Sequence, residues 1–249
     1  MRLGLILLAA SLPLTGTIIQ NTTVTNNVIY GSGNINAGFT LDQENGIELG
    51  LRAKTRFPSS LNDFPNNGAG TFFFPAGNFG PSGNQPSWNF DFSINSNYNG
   101  TGANLNAYTY KLELDTNTSA AVTFGPAFDP INQTCTDDAI GTNATAANSG
   151  AFISNCGAAG TGATYASLIN SNNLGQNSWR YTFFPLQAPG FDPAMPGIYT
   201  IRLSAYSGNT LLAQTSIDVV ATPEPAAIVL IGAGLVGIAI RRRVKPQTA

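Results

Sequence analysis

The chain has 249 residues, with 11 Lys and Arg against 13 Asp and Glu, a net charge of −2, and only 10% of its residues charged. Four of the basic residues fall within 241–245, so the body keeps no basic patch of the kind that binds nucleic acid. It has no histidine, which removes Ser-His-Asp and Cys-His catalysis, imidazole metal sites and the commonest general base at neutral pH.

In chain order, Met1-Arg2 followed by the apolar run Leu3 to Leu14 has the make-up of a secretory signal peptide. We assign it to residues 1–17, with small residues for cleavage at Ala9-Ala10-Ser11 and Thr15-Gly16-Thr17. Residues 18–45, rich in Asn, Thr and Gly, read as a flexible lead-in with one strand expected at Asn27 to Tyr30. From Gly46 the signal becomes strict alternation, the mark of half-buried strands. Ile47, Leu49, Leu51 and Ala53 alternate with Glu48, Arg52 and Lys54; Trp88, Phe90, Phe92 and Ile94 with Asn89, Asp91, Ser93 and Asn95; Tyr108, Tyr110, Leu112 and Leu114 with Thr109, Lys111, Glu113 and Asp115. The polar faces are expected to meet solvent on an antiparallel sheet. Thr71 to Phe74 and Ala121 to Phe124 are shorter candidates, and Phe72-Phe73-Phe74 puts aromatic rings on both faces of one of them.

Residues 129–177 break the alternation and read as one long loop, with a short helix near Tyr165 to Asn170. Strands resume with Trp179, Tyr181 and Phe183, then Tyr199 to Ala205, then Ala213 to Val219, the last two joined by a turn at Ser207-Gly208-Asn209. About eight strands joined by Gly and Pro turns give an all-β fold. The expected domain, 46–221, is an antiparallel β-sandwich of immunoglobulin-like or jelly-roll type.

The long loop holds Cys135 and Cys156, the chain's two cysteines, too few for a zinc site and expected to form a disulfide in an exported protein. Asp137-Asp138 beside Cys135 could offer oxygen ligands to calcium, but no EF-hand or repeat spacing is present, so they read as turn residues and no metal is expected. Asp115, Asp129 and Asp192 read the same way, and Trp88 and Trp179 lie on apolar faces and are expected in the core.

The C-terminal tail is the most specific stretch: Pro223-Glu224-Pro225, an uncharged run from Ala226 to Ile240, and Arg241-Arg242-Arg243-Val244-Lys245. A run without charge crosses lipid as a helix, which satisfies its own backbone, so 226–240 is expected to be a single transmembrane helix with its basic end in the cytoplasm. Ile228 to Gly237 also matches the glycine fingerprint of a dinucleotide fold, but no acidic residue follows Glu224 and no βαβ unit can form, so no nucleotide is expected.

Taken together, the tail resembles the PEP-CTERM sorting signal of Gram-negative bacteria over 222–245. The resemblance implies recognition by the membrane protease-transpeptidase exosortase, with Pro223, Glu224 and Pro225 as the sorting motif and Arg241, Arg242 and Arg243 as the stop-transfer cluster. It also implies delivery to the cell surface or the extracellular polysaccharide matrix. The protein is accordingly expected to be exported, structural or adhesive, and non-enzymatic, with no cofactor. The expected partners are exosortase, the membrane through the C-terminal helix, and extracellular polysaccharide. A carbohydrate-binding module would need a row of exposed aromatic rings, and a histidine-free hydrolase would need two carboxylates in a cleft.

Overall fold

The computed structural model describes residues 16–59, 62–81, 85–181 and 192–223. The expected signal-peptide core, Phe183, Glu224 and Pro225, the expected transmembrane run 226–240 and the cluster Arg241, Arg242 and Arg243 lie outside them. No helix among the described residues is long and apolar enough to cross a membrane.

The fold is a β-sandwich of two sheets. Among the described residues ten strands form it: β1 (Ile18–Thr22), β2 (Phe39–Glu44), β3 (Ile47–Thr55), β4 (Thr71–Pro75), β5 (Trp88–Asn95), β6 (Thr109–Leu114), β7 (Ala139–Gly141), β8 (Leu174–Trp179), β9 (Gly197–Ser207) and β10 (Thr210–Thr222). One sheet has the order β1-β2-β3-β5-β8-β7, the other β4-β10-β9-β6. All the pairings are antiparallel except that of β10 with β4, which runs parallel, so the smaller sheet is mixed where an antiparallel one was expected. A helix, α1 (Thr161–Ser171), covers the expected Tyr165 to Asn170 and buries Tyr165 and Ile169, one turn apart on one face.

The alternation sets the core. Pairing Leu49 with Ile94, Leu51 with Phe92 and Ala53 with Phe90 puts every second side chain of β3 and β5 on the inner face. Tyr110, Leu112 and Leu114 of β6 and Tyr199, Ile201, Leu203 and Ala205 of β9 meet them from the other sheet. Trp88 and Trp179 are buried there, with Trp88 edge-on to Tyr181 at 5.2 Å and Trp179 edge-on to Phe92 at 5.1 Å between ring centres. Burying each such side chain is worth about 1.5–3 kcal/mol. In β4, Phe72 and Phe74 join this core while Phe73 faces out, 45% exposed.

Four expectations are corrected. Residues 18–45 hold β1 and β2 rather than only a lead-in, and Asn45-Gly46, both with positive φ, make the tight hairpin turn into β3. Asn27 to Tyr30 is not a strand, because its backbone bonds are split between side chains and a loop: Ile29 N–H donates to Gln176 Oε1 at 2.7 Å, while the Val28 and Ile29 carbonyls accept from residues 148 and 150. Ala121 to Phe124 is a loop, fastened where Asp115 Oδ1 accepts the N–H groups of Asn117 and Thr123. The stretch 129–177 contains β7, α1 and most of β8. That last strand begins at Leu174, ahead of the expected Trp179, where Gly175 lets Ile131 pack so closely that an added Cβ would lie 2.7 Å from its Cδ1.

The largest difference is on the outer face of the six-stranded sheet. Glu48, Arg52, Lys54, Asn89, Asp91, Ser93 and Asn95 were expected in solvent, and all are buried. The irregular stretch from Val24 to Ala37 folds back over them, and Val24, Val28, Ile29 and Tyr30 form a second core with Phe39, Leu41, Ala139 and Leu174. On the smaller sheet the expectation holds better, since Lys111 is exposed and Arg202, one third exposed, pairs with Glu113 at 2.8 Å.

The covered face is held by Arg52, which is fully buried. Its Nε donates to Asp91 Oδ2 at 2.6 Å, Nη1 to the carbonyls of Ile35 and Ala37 at 2.7 Å each, and Nη2 to the Tyr30 hydroxyl at 2.9 Å. Removing one partner of such a pair strands a buried charge, at about 3–5 kcal/mol. Asp91→Ala should therefore lower unfolding stability in urea by that amount, while Arg52→Met with Asp91→Leu should cost clearly less.

Candidate functional site

The strand register assembles the site. Arg52 pairs with Asp91 and Lys54 with Asn89 between β3 and β5, and Asp91 pairs with Ser178 between β5 and β8. One step past the last pair, Phe90 with Trp179, come Asn89 and Arg180. Lys54 and Asn89 thus stand side by side on neighbouring strands, about 4.8 Å apart, and Arg180 follows on the other side of Asn89, just beyond the end of β8. This end of the polar face stays open between the covering stretch and the segment 148–154, leaving a groove of about 750 Å³.

The two walls are bonded to each other, with Asn148 N–H donating to the Val28 carbonyl and Gly150 N–H to that of Ile29, both at 2.9 Å. Ala151 forms an isolated bridge with Ile140 of β7. Cys135 and Cys156, 21 positions apart on either side of this segment in the chain, form the expected disulfide.

Lys54 sits in the groove with its side chain 4% exposed, its Nζ 2.7 Å from Asn34 Oδ1 and 3.5 Å from Asp91 Oδ2. Burial lowers its pKa, and the negative charge of Asp91 works against that shift. Asn89 donates through Nδ2 to Ser178 Oγ, but its buried Oδ1 has no partner among the described residues. Arg56 is exposed and Arg180 half-buried, and among the described residues neither makes an ion pair. The exposed Phe152 stands at the groove with 62% of its surface free.

The two acids singled out in the sequence part company. Asp137 is exposed and lines the groove, whereas Asp138 is fully buried and accepts from Thr136 Oγ1 at 2.7 Å and from Asn177 Nδ2 at 2.8 Å. Burial pushes the Asp138 carboxyl up to about 7, offset in part by those two hydrogen bonds. Among the described residues no group of three or more His, Cys, Asp or Glu could hold a metal. Asp115, expected at a solvated turn, is buried instead.

Sequence reasoning picks out the disulfide but not the groove. Lys54, Asn89 and Arg180 lie far apart along the chain and meet only through strand register, so no local motif announces them. The available signal was the charge on the polar faces of β3 and β5. The row of exposed aromatic rings that a stacking carbohydrate module needs is not what this face presents, since Trp88, Trp179 and Tyr30 are buried.

Fold and groove together define a two-sheet β-sandwich with a preformed polar groove on one covered face. Pro223 lies directly beyond β10. Residues 221–243 match the family model of the PEP-CTERM protein-sorting motif, so this is a β-sandwich protein carrying a PEP-CTERM sorting signal. The motif marks an exported protein that transits the membrane and is sorted to the cell surface, and it implies processing by an exosortase. Comparison with curated proteins returned no match, and comparison with solved structures returned none either.

Two predictions follow from the wall and its buried acid. Thiol reagents should label the folded chain only after reduction, and replacing both cysteines with serine should cost about 3 kcal/mol for a loop of this length. The Asp138 carboxyl binds its proton more tightly in the folded than in the unfolded chain, so its contribution to stability is complete below pH ~4 and lost as pH rises through about 7. The loss amounts to ~4 kcal/mol at most. Asp42, also raised by burial, acts in the same direction. Urea melts of Asp138→Asn should lose most of this fall between pH 4 and 7.

Proposed function

We propose that this chain is a non-enzymatic surface protein, structural or adhesive, in which the β-sandwich is the delivered body and the tail its removable address. The observation that carries this reading is the sorting motif, which begins at Ala221 within the last strand. In this reading Pro223, Glu224 and Pro225 are what exosortase recognises, the apolar run holds the chain in the membrane during transit, and Arg241, Arg242 and Arg243 stop its transfer.

The employment of the acids supports a structural role. Asp115 fastens a loop, Glu48 accepts the N–H of Thr25 at 3.1 Å, and Asp129 accepts the N–H groups of Tyr110, Ile131 and Asn132 at 2.9 Å each. Asp42 Oδ2 joins the two sheets by accepting Gln214 N–H at 2.7 Å. A charge-assisted bond of this kind contributes about 1.5–3 kcal/mol. These carboxylates hold loops and layers together.

A plain membrane anchor requires the apolar run and the basic stop but not Pro223-Glu224-Pro225. In a host carrying an exosortase, the wild-type chain should lose its tail and leave the inner membrane. The variant with Pro223, Glu224 and Pro225 all replaced by alanine should insert normally and stay full length there. Intact-mass measurement with membrane fractionation compares them, and identical processing of the two would reduce the tail to an ordinary anchor.

A further inference from the structure

The groove has the size of a ligand site, since small-molecule clefts run about 300–1,000 Å³. Its charge is lopsided: Lys54, Arg56 and Arg180 line it against the single carboxylate of Asp137. The chain as a whole is acidic, with a net charge of −2, so the cations are a local feature and not a spill-over of a basic surface. Lys54 and Arg180 stand on either side of Asn89, which suits a ligand carrying more than one negative charge along its length.

The rest of the lining asks for more than an anion. Asn89 Oδ1 is a buried acceptor with no partner among the described residues, and such an atom costs about 1–3 kcal/mol until a donor reaches it. A ligand hydroxyl is such a donor, and the amide of Asn148 offers a donor and an acceptor to further hydroxyls, while Asn34, which holds Lys54 and the Tyr30 carbonyl, keeps one more N–H. The ring of Phe152 gives an apolar face against which a saccharide ring can lie. Negative charge, several hydroxyls and a flat apolar face together describe an acidic sugar.

We propose that this groove binds a carboxylate-bearing saccharide, its carboxylates paired with Lys54, Arg56 and Arg180 and a hydroxyl donated to Asn89 Oδ1. The walls are already bonded to each other, so little ordering is required on binding. The inference deepens the surface-protein reading and rests on it for where such a polymer is met.

Calorimetric titration of the full-length chain with trigalacturonic acid, its methyl ester and neutral maltotriose tests this. The acid should bind, and methylation should weaken it at least about tenfold, a difference of ~1.4 kcal/mol. Binding should also weaken as salt is raised to about 150 mM. Arg56→Gln and Arg180→Gln should each lose about tenfold in affinity with unchanged melting temperature, because neither residue is buried. Equal binding of acid and ester, no binding of the acid, unaltered affinity in both arginine variants, or tighter binding of a short DNA strand would each overturn the proposal. A chain that fails to bind but is processed and exported removes only the groove assignment. Binding by a chain that is never processed removes only the delivery reading.

Discussion

A single buried guanidinium governs the outer half of this molecule. Arg52 has no exposed surface, and its charge is tolerable only because Asp91 neutralises it and three oxygens of the covering stretch complete its hydrogen bonding. Burial is the strongest single influence on its pKa and lowers it; the charge of Asp91, the interaction with Tyr30 and the hydrogen bonds to both together outweigh it, and the net shift is upward. The rings of Phe39 and Phe64 lie 4.3 and 4.4 Å from it, so even its faces are used. Two of its bonds go to backbone carbonyls on an irregular segment, which ties the path of that segment to one side chain on β3. The second core, the burial of Lys54 and the shape of the groove all depend on that path.

Amide side chains do much of what regular backbone pairing does elsewhere. Asn36 bonds both the N–H and the carbonyl of Val24, much as a strand neighbour would, and Gln176 holds Ile29 and Ser93 together. Asn95, Asn143 and Asn173 bond one another at the far end of the same face. This gives a physical reason for a chain rich in Asn and poor in charge: polar groups can be buried in quantity when each supplies both a donor and an acceptor.

The inner half of the fold was legible because β3, β5, β6 and β9 follow period two. The faces led by Leu49, Phe92, Leu112 and Leu203 went where alternation sends them. The outer half was not, because alternation says that a face is polar and cannot say whether another part of the chain covers it. Val28-Ile29-Tyr30 is the short apolar run that betrays the cover, and read locally it resembles a strand. Asn45-Gly46 is the strongest local sign that β2 and β3 form a hairpin. The strand Leu174–Trp179 has poor intrinsic preference for its shape and exists because β5 and β7 flank it. The disulfide needed only two cysteines and a compartment, whereas the groove needed a register that no short window of sequence contains.

The end of β10 bears on how such a protein can be released. Ala221 pairs with Phe74 and Thr222 with Pro75, and the Thr222 carbonyl accepts Ala76 N–H at 2.7 Å, so β10 is still paired with β4 at the residue before Pro223. The body and the matched sorting motif therefore overlap: Ala221 and Thr222, the last paired residues of β10, are also where the match to the motif begins. A domain trimmed to the sandwich alone must keep these two residues or give up the last rungs between β10 and β4.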